Sequence, residues 1–503
     1  MKQLTKAVLG AWACAGLAGC AATGAGTGDT VTQGIVIRNA TVVNTRDGSL
    51  SPNMSVVLAG GKIERIVANG AVRAGADAQE VDAAGKYLVP GFLDMHTHAI
   101  LTANRQPTPW PLLLAHGVTG VREMAGSPAL IEASRRINAD SAAGRLDAPE
   151  ILQIPGTLLV GVGTADQGVQ QVRQQKAMGA DFVKLVSASR DGALAVLAEA
   201  KAQNLTVAGH LPPGLGAAQA ADAGWHSIEH LGSGLGILLD CATQGEEARA
   251  ALLRGEGAPP VFTPTFITSP MLYRERDAPF YQRVMDSYSV DKCRALAQTF
   301  VRDGTWHVPT LIRLRTSEFS NDPLYRKDPN LAWIDKGTRA QWEQLAVQYD
   351  AKLPAPAQAT FRQYYGLQQK AVKLLKDSGV KMLAGSDFGG IWGIPGYSLH
   401  QEFRELAAAG LAPLDILQMT TLNGAQFLNR EASMGTVETG KNADLVLLDA
   451  NPVADAANLD GISGVFLKGR YFSKDDLERM KREVAQAWER QPVPSASETG
   501  HAH

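Results

Sequence analysis

The central part of the chain alternates between short apolar runs and longer amphipathic segments. Eight runs have the length and composition of buried strands, and most are separated by segments with apolar residues at helical spacing, such as 167–178, 192–203 and 364–377. The eight strand-like runs are 91–96, 118–123, 151–154, 182–186, 205–209, 227–229, 307–311 and 381–385. This alternation is typical of parallel β/α units. The sequence therefore predicts an α/β fold, a (β/α)8 TIM barrel with its chemistry at the carboxyl ends of the strands.

Two strand-rich blocks flank this central part, 34–90 before it and 430–472 after it. Neither block has enough apolar surface to fold alone, so we expect both to form one small composite β-sandwich beside a barrel at 91–429. The stretch 232–304 is far longer than an ordinary connection and predicts a helical insertion over the barrel mouth. Residues 473–503 predict a C-terminal helix, with acidic residues in its first turn, followed by a tail.

The chain begins with the pattern of a secretory signal peptide over 1–19, in which two lysines precede an apolar run too short to span a bilayer. The run ends in Leu17-Ala-Gly-Cys20, which resembles a bacterial lipobox, with Cys20 as the site of lipid attachment. An ordinary cleaved signal with a chance cysteine is the alternative. Residues 20–33 predict a flexible tether. Because Ala21 is not the aspartate that often retains lipoproteins in the inner membrane, we expect a lipid-anchored protein of the outer membrane that faces the periplasm.

Composition favours a small-molecule function. The 503 residues are 45% hydrophobic, which supports a large core, and the formal net charge of -2 gives no electrostatic case for binding nucleic acid or an acidic membrane. Contact with a membrane is expected only through the lipid anchor. Once the signal peptide is removed with Cys14 and Cys20 is acylated, Cys241 and Cys293 remain, and the sequence leaves open whether they pair. It also leaves the oligomeric state open.

Several metal-ligand residues lie at the ends of the strand-like runs. His96 and His98 follow an apolar run and are two residues apart, so both imidazoles project from the same side of an extended backbone and can bind one metal ion. Lys184 lies inside an apolar run, where a buried ammonium is costly unless something neutralises it. The further candidates, each at the end of a later run, are His210, His230 and Asp387.

The order of these motifs resembles the amidohydrolase superfamily, near its imidazolonepropionase-like and Xaa-Pro dipeptidase-like members. The resemblance extends from about Gly34 to Gly469. It rests on the segments Pro90-Gly-Phe-Leu-Asp-Met-His-Thr-His98, Phe182-Val-Lys-Leu185, Val207-Ala-Gly-His210, Ile228-Glu-His230 and Gly385-Ser-Asp387. It implies the barrel, the composite sandwich and a metal centre at the strand ends.

The resemblance also implies a role for each candidate. The more buried of two divalent ions would be held by His96, His98 and Asp387, and the more exposed one by His210 and His230. Lys184 would be carboxylated and would bridge both ions, which turns a misplaced ammonium into an anionic ligand. Zinc is the expected ion for nitrogen and oxygen ligands, although the ligand type leaves manganese, cobalt and iron open. One-metal members of the family leave the metal count open as well. Asp387 would be the catalytic residue, taking a proton from the attacking water and passing it to the leaving nitrogen.

Three residues are weaker candidates for substrate contact. Arg313 follows the run 307–311 and is suited to bidentate binding of a carboxylate, with an ordinary surface arginine as the alternative. Tyr397 and His400 follow a glycine-rich loop and are close to Asp387 in sequence.

The expected function is metal-dependent hydrolysis of amide bonds in dipeptides or N-acyl amino acids by a metal-activated hydroxide. The alternatives are hydrolysis of a cyclic amide, lactone or phosphoester by the same centre, or a binding lipoprotein with a dead site. All six candidate positions are present, and a binding protein has no need of a hydroxide generator, so catalysis is favoured. We expect substrate selection to come from residues 232–304.

Overall fold

The computed structural model describes residues 29–103, 106–256 and 274–492. The expected signal peptide, Cys20 and most of the expected tether lie outside the described residues, as do residues 257–273 of the expected insertion and residues 493–503 of the expected tail. Within the described residues, no helix combines the length and the apolar character needed to cross a membrane.

Seventeen strands are present among the described residues. They are β1 Asp29–Val31, β2 Gly34–Val43, β3 Leu50–Ala59, β4 Lys62–Ala68, β5 Val72–Ala74, β6 Ala78–Asp82, β7 Tyr87–Pro90, β8 Phe92–Thr97, β9 Val118–Glu123, β10 Glu150–Gln153, β11 Phe182–Leu185, β12 Thr206–Gly209, β13 Ser227–Glu229, β14 Trp306–Val308, β15 Leu445–Leu448, β16 Ile462–Leu467 and β17 Arg470–Ser473.

Eighteen α-helices are present among the same residues. They are α1 Ala99–Thr102, α2 Trp110–Ala115, α3 Pro128–Ala142, α4 Ala165–Ala177, α5 Arg190–Ala202, α6 Ala217–Asp222, α7 Gly236–Cys241, α8 Gly245–Leu253, α9 Ala278–Asp286, α10 Val290–Asp303, α11 Leu311–Glu318, α12 Pro323–Arg326, α13 Lys336–Lys352, α14 Ala355–Asp377, α15 Tyr397–Ala408, α16 Pro413–Met419, α17 Leu422–Phe427 and α18 Lys474–Arg490.

The two strand-rich ends of the chain meet in one eight-stranded sheet of order β17-β16-β15-β7-β2-β3-β4, with β6 paired to β2. The junction is the antiparallel pair β7 and β15, in which Pro90 lies opposite Leu445 and Tyr87 opposite Leu448. A two-stranded sheet of β1 and β5 packs against it through Val31, Val36, Val57 and Val72. The two blocks therefore join edge to edge, and a sandwich with a second layer of comparable size stays a prediction.

The central strands are parallel and alternate with helices, which confirms the predicted α/β class. They form two sheets, of order β10-β9-β8 and β11-β12-β13-β14. An isolated parallel bridge between Pro155 and Phe182 links the two sheets. The central strands thus form one sheet of three strands and one sheet of four strands. A single closed barrel of eight strands stays a prediction.

The run 381–385 lies between β14 and β8, although it forms only one isolated bridge, from Met382 to His307. The Leu383 N–H donates to the His307 carbonyl at 2.9 Å, and the Met95 N–H donates to the Ala384 carbonyl at 3.0 Å. Further along, the Asp387 N–H donates to the His96 carbonyl at 2.8 Å. These hydrogen bonds hold Asp387 beside the end of β8.

The predicted strand 307–311 is too long, because β14 ends at Val308. Pro309 has no backbone N–H to donate to a neighbouring strand, and Thr310 has a left-handed backbone with φ 43°. The helix α11 then begins at Leu311. This early turn brings the α11 residues towards the ends of the strands.

Helices occupy the described parts of the expected insertion. A disulfide joins Cys241, at the end of α7, to Cys293 on α10. The helix α10 is followed by Gly304, whose backbone is left-handed, and the Phe300 ring of α10 lies 4.6 Å from the ring of His307 on β14. This part of the stretch therefore packs against a central strand.

Candidate metal centre

Three histidines surround the carboxylate of Asp387. The distances from their Nε2 atoms to the nearer Asp387 oxygen are 3.1 Å for His98, 3.4 Å for His96 and 3.7 Å for His230. One ligand atom from each of His96, His230 and Asp387 lies within 4.8 Å of the other two. All of these side chains are buried. The structure thus brings together four of the six predicted ligands.

The other two predicted ligands are buried next to this group. The ring of His210 lies 5.2 Å from the ring of His230. The Lys184 side chain belongs to a residue only 3% exposed, and its charge acts on His96, His210 and His230. Burial lowers the pKa of Lys184 to about 8, and the nearby carboxylates Glu229 and Asp387 oppose this shift.

The backbone is strained where these residues stand. His230 and Asp387 have φ values of 53° and 49°, and Thr310 has 43°, in the left-handed region that side chains other than glycine rarely adopt. Such strain is typical of sites where geometry is fixed for function. Gly385 lacks a side chain for a related reason, because a Cβ there would lie 2.8 Å from the Cβ of His96. The backbone thus packs closely around the histidine cluster.

A buried ion pair, not foreseen from the sequence, orients His96. The Glu229 Oε2 atom lies 2.7 Å from His96 Nδ1, and Arg122 donates from Nη2 to Glu229 Oε1 at 2.7 Å. Arg122 also donates from Nε to the Met95 carbonyl at 2.7 Å. Both Arg122 and Glu229 are fully buried. This arrangement leaves His96 Nε2 directed at Asp387.

Two further contacts support the cluster. Asp94 accepts hydrogen bonds from the Ser386 N–H at 2.9 Å and the Ser386 hydroxyl at 2.6 Å, which ties β8 to the residue before Asp387. The Thr310 Oγ1 atom lies 2.5 Å from His230 Nδ1. In the sequence, the only signal for Asp94 and Glu229 is a charged residue inside an apolar run, which is also the signal that identifies Lys184. Nothing in the pattern around Thr310 indicated its contact with His230.

The electrostatics of the cluster suit metal binding. Burial lowers the pKa of His96 to about 4, and burial also lowers the pKa values of His210 and His230 well below the ordinary histidine value, with Lys184 adding to the effect. Burial alone would raise the pKa of Asp387, but the surrounding His96, His230 and His98 outweigh it and hold that pKa well below its usual range. Histidines that lose their protons readily and a carboxylate that ionises readily suit a metal, because metal binding requires neutral imidazoles and an ionised carboxylate. The residues therefore fit a divalent cation, and this donor set is typical of zinc.

The three candidates for substrate contact have different outcomes. Arg313 reaches the cluster, since its Nε lies 3.3 Å from Asp387 Oδ2, and it is buried rather than a surface arginine. The structure does not bring His400 to the cluster, contrary to the prediction. Its Nδ1 atom lies 2.8 Å from the Asp460 carboxylate, and its Nε2 atom donates to the His116 carbonyl at 2.8 Å. Its ring packs on Phe92 at the start of β8. It therefore lies at the opposite end of β8 from His96.

Tyr397 is the second residue that the structure does not bring to the cluster, contrary to the prediction. Its ring lies 6.1 Å from that of His116 and 6.2 Å from that of Trp333, and its hydroxyl accepts a hydrogen bond from Arg404 at 3.3 Å. Sequence proximity to Asp387 was misleading, because the intervening loop carries the chain away from the cluster before α15 begins.

The chain is similar to known proteins in both sequence and structure. Residues 361–471 match the model of the Amidohydrolase family. An adenine deaminase from Rubrobacter xylanophilus is 39% identical over 64 residues, 13% of this chain and 11% of that protein, and one from Mesorhizobium japonicum is 38% identical over 64 residues. The match thus spans about a tenth of the length of these curated relatives.

Solved structures are similar over most of the chain. A Xaa-Pro dipeptidase with bound methionine in its active site has a TM-score of 0.59 at 17% identity, covering 87% of this chain and 99% of that one. Bottromycin amidohydrolase has a TM-score of 0.65 at 19% identity, covering 90% of each chain. Ochratoxinase from A. niger has a TM-score of 0.56 at 15% identity, covering 88% of this chain and 96% of that one. The chain thus has the fold of these proteins, and its residues 361–471 are similar to the Amidohydrolase family.

Proposed function

We propose that the chain is a metal-dependent hydrolase of the amidohydrolase superfamily that cleaves amide bonds in dipeptides or N-acyl amino acids. The observation that carries this proposal is the convergence of His96, His230 and Asp387, whose ligand atoms lie within 4.8 Å of one another. We also infer that the two central sheets close into a (β/α)8 barrel. The hydrogen bonds from β14 through the run 381–385 to β8 support that closure.

Two divalent ions, most simply zinc, would be held by the six predicted ligands. The deeper ion would be bound by His96, His98 and Asp387, and the other by His210 and His230. Lys184, carboxylated on its amine, would lie between them, which explains a lysine buried among histidines. When bound, the ions would acidify a water molecule and polarise the substrate carbonyl.

The chain's own residues then have defined tasks. Asp387 is an ionised carboxylate within 3.7 Å of three imidazoles, so it can accept a proton from the attacking water and deliver it to the leaving nitrogen. Glu229 and Thr310 fix the ring orientations of His96 and His230. Arg313 reaches the same carboxylate and is suited to binding a free carboxylate of the substrate, which favours dipeptides and N-acyl amino acids.

A chelator experiment tests the proposal. The purified chain is analysed for bound metal and assayed on a library of dipeptides and N-acyl amino acids, before and after chelation and zinc readdition. We expect turnover that chelation abolishes and zinc restores. Asp387→Asn should lose turnover, whereas Asp291→Asn, whose side chain is 92% exposed on α10, should not. Amide turnover that survives complete removal of metal would overturn the mechanism.

The same assay separates the alternatives. Cyclic amides, lactones and phosphoesters belong in the library, because the same residues could act on them. Adenine is included because of the short match to adenine deaminases, and its deamination is detected as released ammonia. A chain that binds these compounds but turns over none of them would instead be a binding protein with a dead site.

We further propose that the protein is a lipoprotein anchored through Cys20 to the outer membrane and facing the periplasm. The lipobox-like sequence suggests this location, and the disulfide between Cys241 and Cys293 supports an oxidising compartment. Labelled fatty acid should be incorporated into the wild-type chain and not into Cys20→Ser. A Cys20→Ser chain that still carries label in the membrane fraction would contradict the anchor.

A further inference from the structure

A buried glutamate beside the candidate metal centre has no task in the proposed function. Glu123 is the last residue of β9 and lies opposite Thr97 of β8 in the parallel pairing, so it stands next to the point where the chain reaches His98. Its side chain is fully buried. A carboxylate in the interior costs free energy unless a charged or hydrogen-bonding group compensates it. The surroundings of Glu123 therefore indicate what it does.

The two oxygens of Glu123 have different surroundings. Oε2 accepts a hydrogen bond from the Ile100 N–H at 2.9 Å, at the start of α1. Oε1 accepts a longer one from the Ala125 N–H at 3.3 Å and lies 3.8 Å from His98 Nδ1. Among the described residues, His98 is the one basic residue that pairs with this carboxylate. Oε2 thus anchors the backbone after His98, while Oε1 faces the imidazole ring.

His98 has a ring nitrogen that needs an acceptor. Its Nε2 atom lies 3.1 Å from Asp387, whereas its Nδ1 atom is buried without a hydrogen-bond partner among the described residues. Zinc bound through Nε2 leaves the ring proton on Nδ1, and a buried N–H without an acceptor is costly. Glu123 Oε1 faces this atom at about 1 Å beyond hydrogen-bond length. A carboxylate oxygen accepts two hydrogen bonds, so Oε1 can take this donor as well as Ala125.

The other two histidines around the cluster carboxylate each have an oxygen at Nδ1. For His96 it is Glu229 Oε2, at 2.7 Å, and for His230 it is Thr310 Oγ1, at 2.5 Å. Such a partner fixes the orientation of a ligand ring and raises the basicity of its metal-binding nitrogen. Glu123 supplies the third histidine with the same kind of partner.

We propose that Glu123 is a positioning residue of the metal centre, which accepts the Nδ1–H of His98 when a metal binds at Nε2 and thereby raises metal affinity. The inference deepens the proposed function, because it rests on His98 being a metal ligand. It also accounts for the buried charge. The N–H groups of Ile100 and Ala125 carry no net charge, whereas a metal-bound imidazole passes part of the charge of the ion to its ring proton.

Zinc affinity of the purified full chain tests the proposal without turnover. Glu123→Gln keeps the shape of the side chain and one oxygen for the Ile100 N–H, but its NH2 group then faces the Nδ1–H of His98, so that two donors meet. Chelator competition should show zinc bound about 10- to 100-fold more weakly than by the wild type. Glu132→Gln, at a carboxylate that is 71% exposed on α3, should stay within about twofold. Equal zinc affinities for Glu123→Gln and the wild type would overturn the proposal.

Thr102→Ala tests whether Glu123 acts only by holding α1 in place. The Thr102 hydroxyl donates to the Ala99 carbonyl at 2.9 Å, so its removal loosens α1 without removing a charge. We expect this variant to bind zinc like the wild type. If it weakens zinc binding as much as Glu123→Gln does, the order of α1 rather than the carboxylate determines the affinity, and the proposal is wrong.

Cobalt(II) in place of zinc gives a readout at the ring itself. A bound cobalt ion shifts the N–H proton resonances of its histidine ligands away from the rest of the proton spectrum, and His98→Gln identifies the resonance of His98 by its loss. In Glu123→Gln this proton should exchange with solvent at least about tenfold faster than in the wild type, because its acceptor is gone. A resonance with unchanged position and exchange rate would contradict the contact.

Turnover separates this inference from the proposed function. If the zinc-loaded wild type hydrolyses no amide and Glu123→Gln still weakens zinc binding, the proposed function is wrong and Glu123 keeps its role. If the wild type hydrolyses amides and Glu123→Gln has wild-type zinc affinity, the inference is wrong and the proposed function stands.

Discussion

At the scale of single residues, Lys184 is the most informative position of the candidate centre. It is a lysine, only 3% exposed, surrounded by histidines whose pKa values its charge lowers. An ammonium group at this position repels cations, whereas a carboxylated amine attracts them. The chemical state of one nitrogen therefore determines whether the neighbouring ligands can hold two ions.

We predict that Lys184→Ala lowers bound metal from two ions to one or none and reduces kcat/KM at least about a hundredfold, because losing a ligand should cost more than the roughly 10- to 100-fold cost of losing a group that only orients one. Metal analysis and amide turnover measure both effects. Lys381→Ala is the matched control, because Lys381 begins the run 381–385 and is exposed. Full activity with one ion per chain in Lys184→Ala would show that the centre uses a single metal and no carboxylated lysine.

A second prediction concerns the buried pair of Arg122 and Glu229. Removing the carboxylate with Glu229→Leu leaves an unpaired guanidinium with 0% exposure, so the free energy of unfolding should fall by about 3–5 kcal/mol. The double variant Arg122→Met with Glu229→Leu should recover much of this loss, because no charge remains buried. Denaturant unfolding measures both.

Measuring zinc affinity in the same variants distinguishes the effect of Glu229 on folding from its effect on the orientation of His96. Even the stable double variant should bind zinc roughly 10- to 100-fold more weakly, because His96 loses the acceptor for its Nδ1. A double variant with wild-type zinc affinity would show that Glu229 serves folding alone.

At the scale of secondary-structure elements, α11 depends on an acid from another helix. Its N-cap residue, Thr310, makes no side-chain capping bond, and Glu402 on α15 instead accepts a hydrogen bond from the Ile312 N–H at 2.7 Å. The Glu402 carboxyl is fully buried, and burial raises its pKa to about 8. Because α11 carries Arg313 and follows Thr310, this one contact supports two residues that reach the cluster.

The raised pKa of Glu402 gives a testable pH dependence. Between pH 4.5, the ordinary pKa of a glutamate, and pH 8, Glu402 keeps its proton in the folded chain and loses it in the unfolded chain. The stability that this carboxyl group contributes therefore falls as the pH rises and is lost above pH 8. Glu402→Gln cannot ionise. It should therefore match the wild type near pH 5 and be more stable at pH 9 by about 4 kcal/mol.

Denaturant unfolding from pH 5 to pH 9 checks this, with Glu489→Gln, at a carboxylate that is 75% exposed, as the control. A difference between Glu402→Gln and the wild type that does not grow with pH would mean that Glu402 is ionised in the folded chain.

The elements also show what could be predicted from the sequence. The strand at 118–123 was predicted with its observed bounds, because a strand-length apolar run is a local signal. The strand ends carrying His96, His210 and His230 followed for the same reason. The predictions for Tyr397 and His400 depended on the path of the chain between elements. The loop before Tyr397 leads away from the cluster, and the pattern of apolar residues does not predict the direction of a loop. Arg122 and Glu229 were missed because their charges compensate each other only in three dimensions.

At the scale of the whole molecule, the candidate ligands connect elements that are far apart in the sequence. They lie at the ends of β8, β11, β12 and β13 and in the run that leads to Asp387, whereas the terminal sheet of β2, β3 and β7 contributes none. Bound metal would therefore link the central strands to one another and leave the terminal sheet unaffected. Ligands bound only by the folded state stabilise it by mass action, by about 2.7 kcal/mol at a hundredfold excess over Kd.

We therefore predict that chelation lowers the midpoint of thermal unfolding by several degrees and that added zinc restores it in a concentration-dependent manner. Asp387→Asn should show a smaller shift and Asp291→Asn the full one. Hydrogen exchange should locate the effect, with slower exchange after metal addition in β8, β13 and residues 381–387 and no change in β2 and β3. Equal protection of the terminal sheet would mean that metal stabilises the chain globally rather than through the strand ends. A midpoint unaffected by metal would contradict a centre assembled from distant strands, because such a centre cannot bind metal without stabilising the arrangement that forms it.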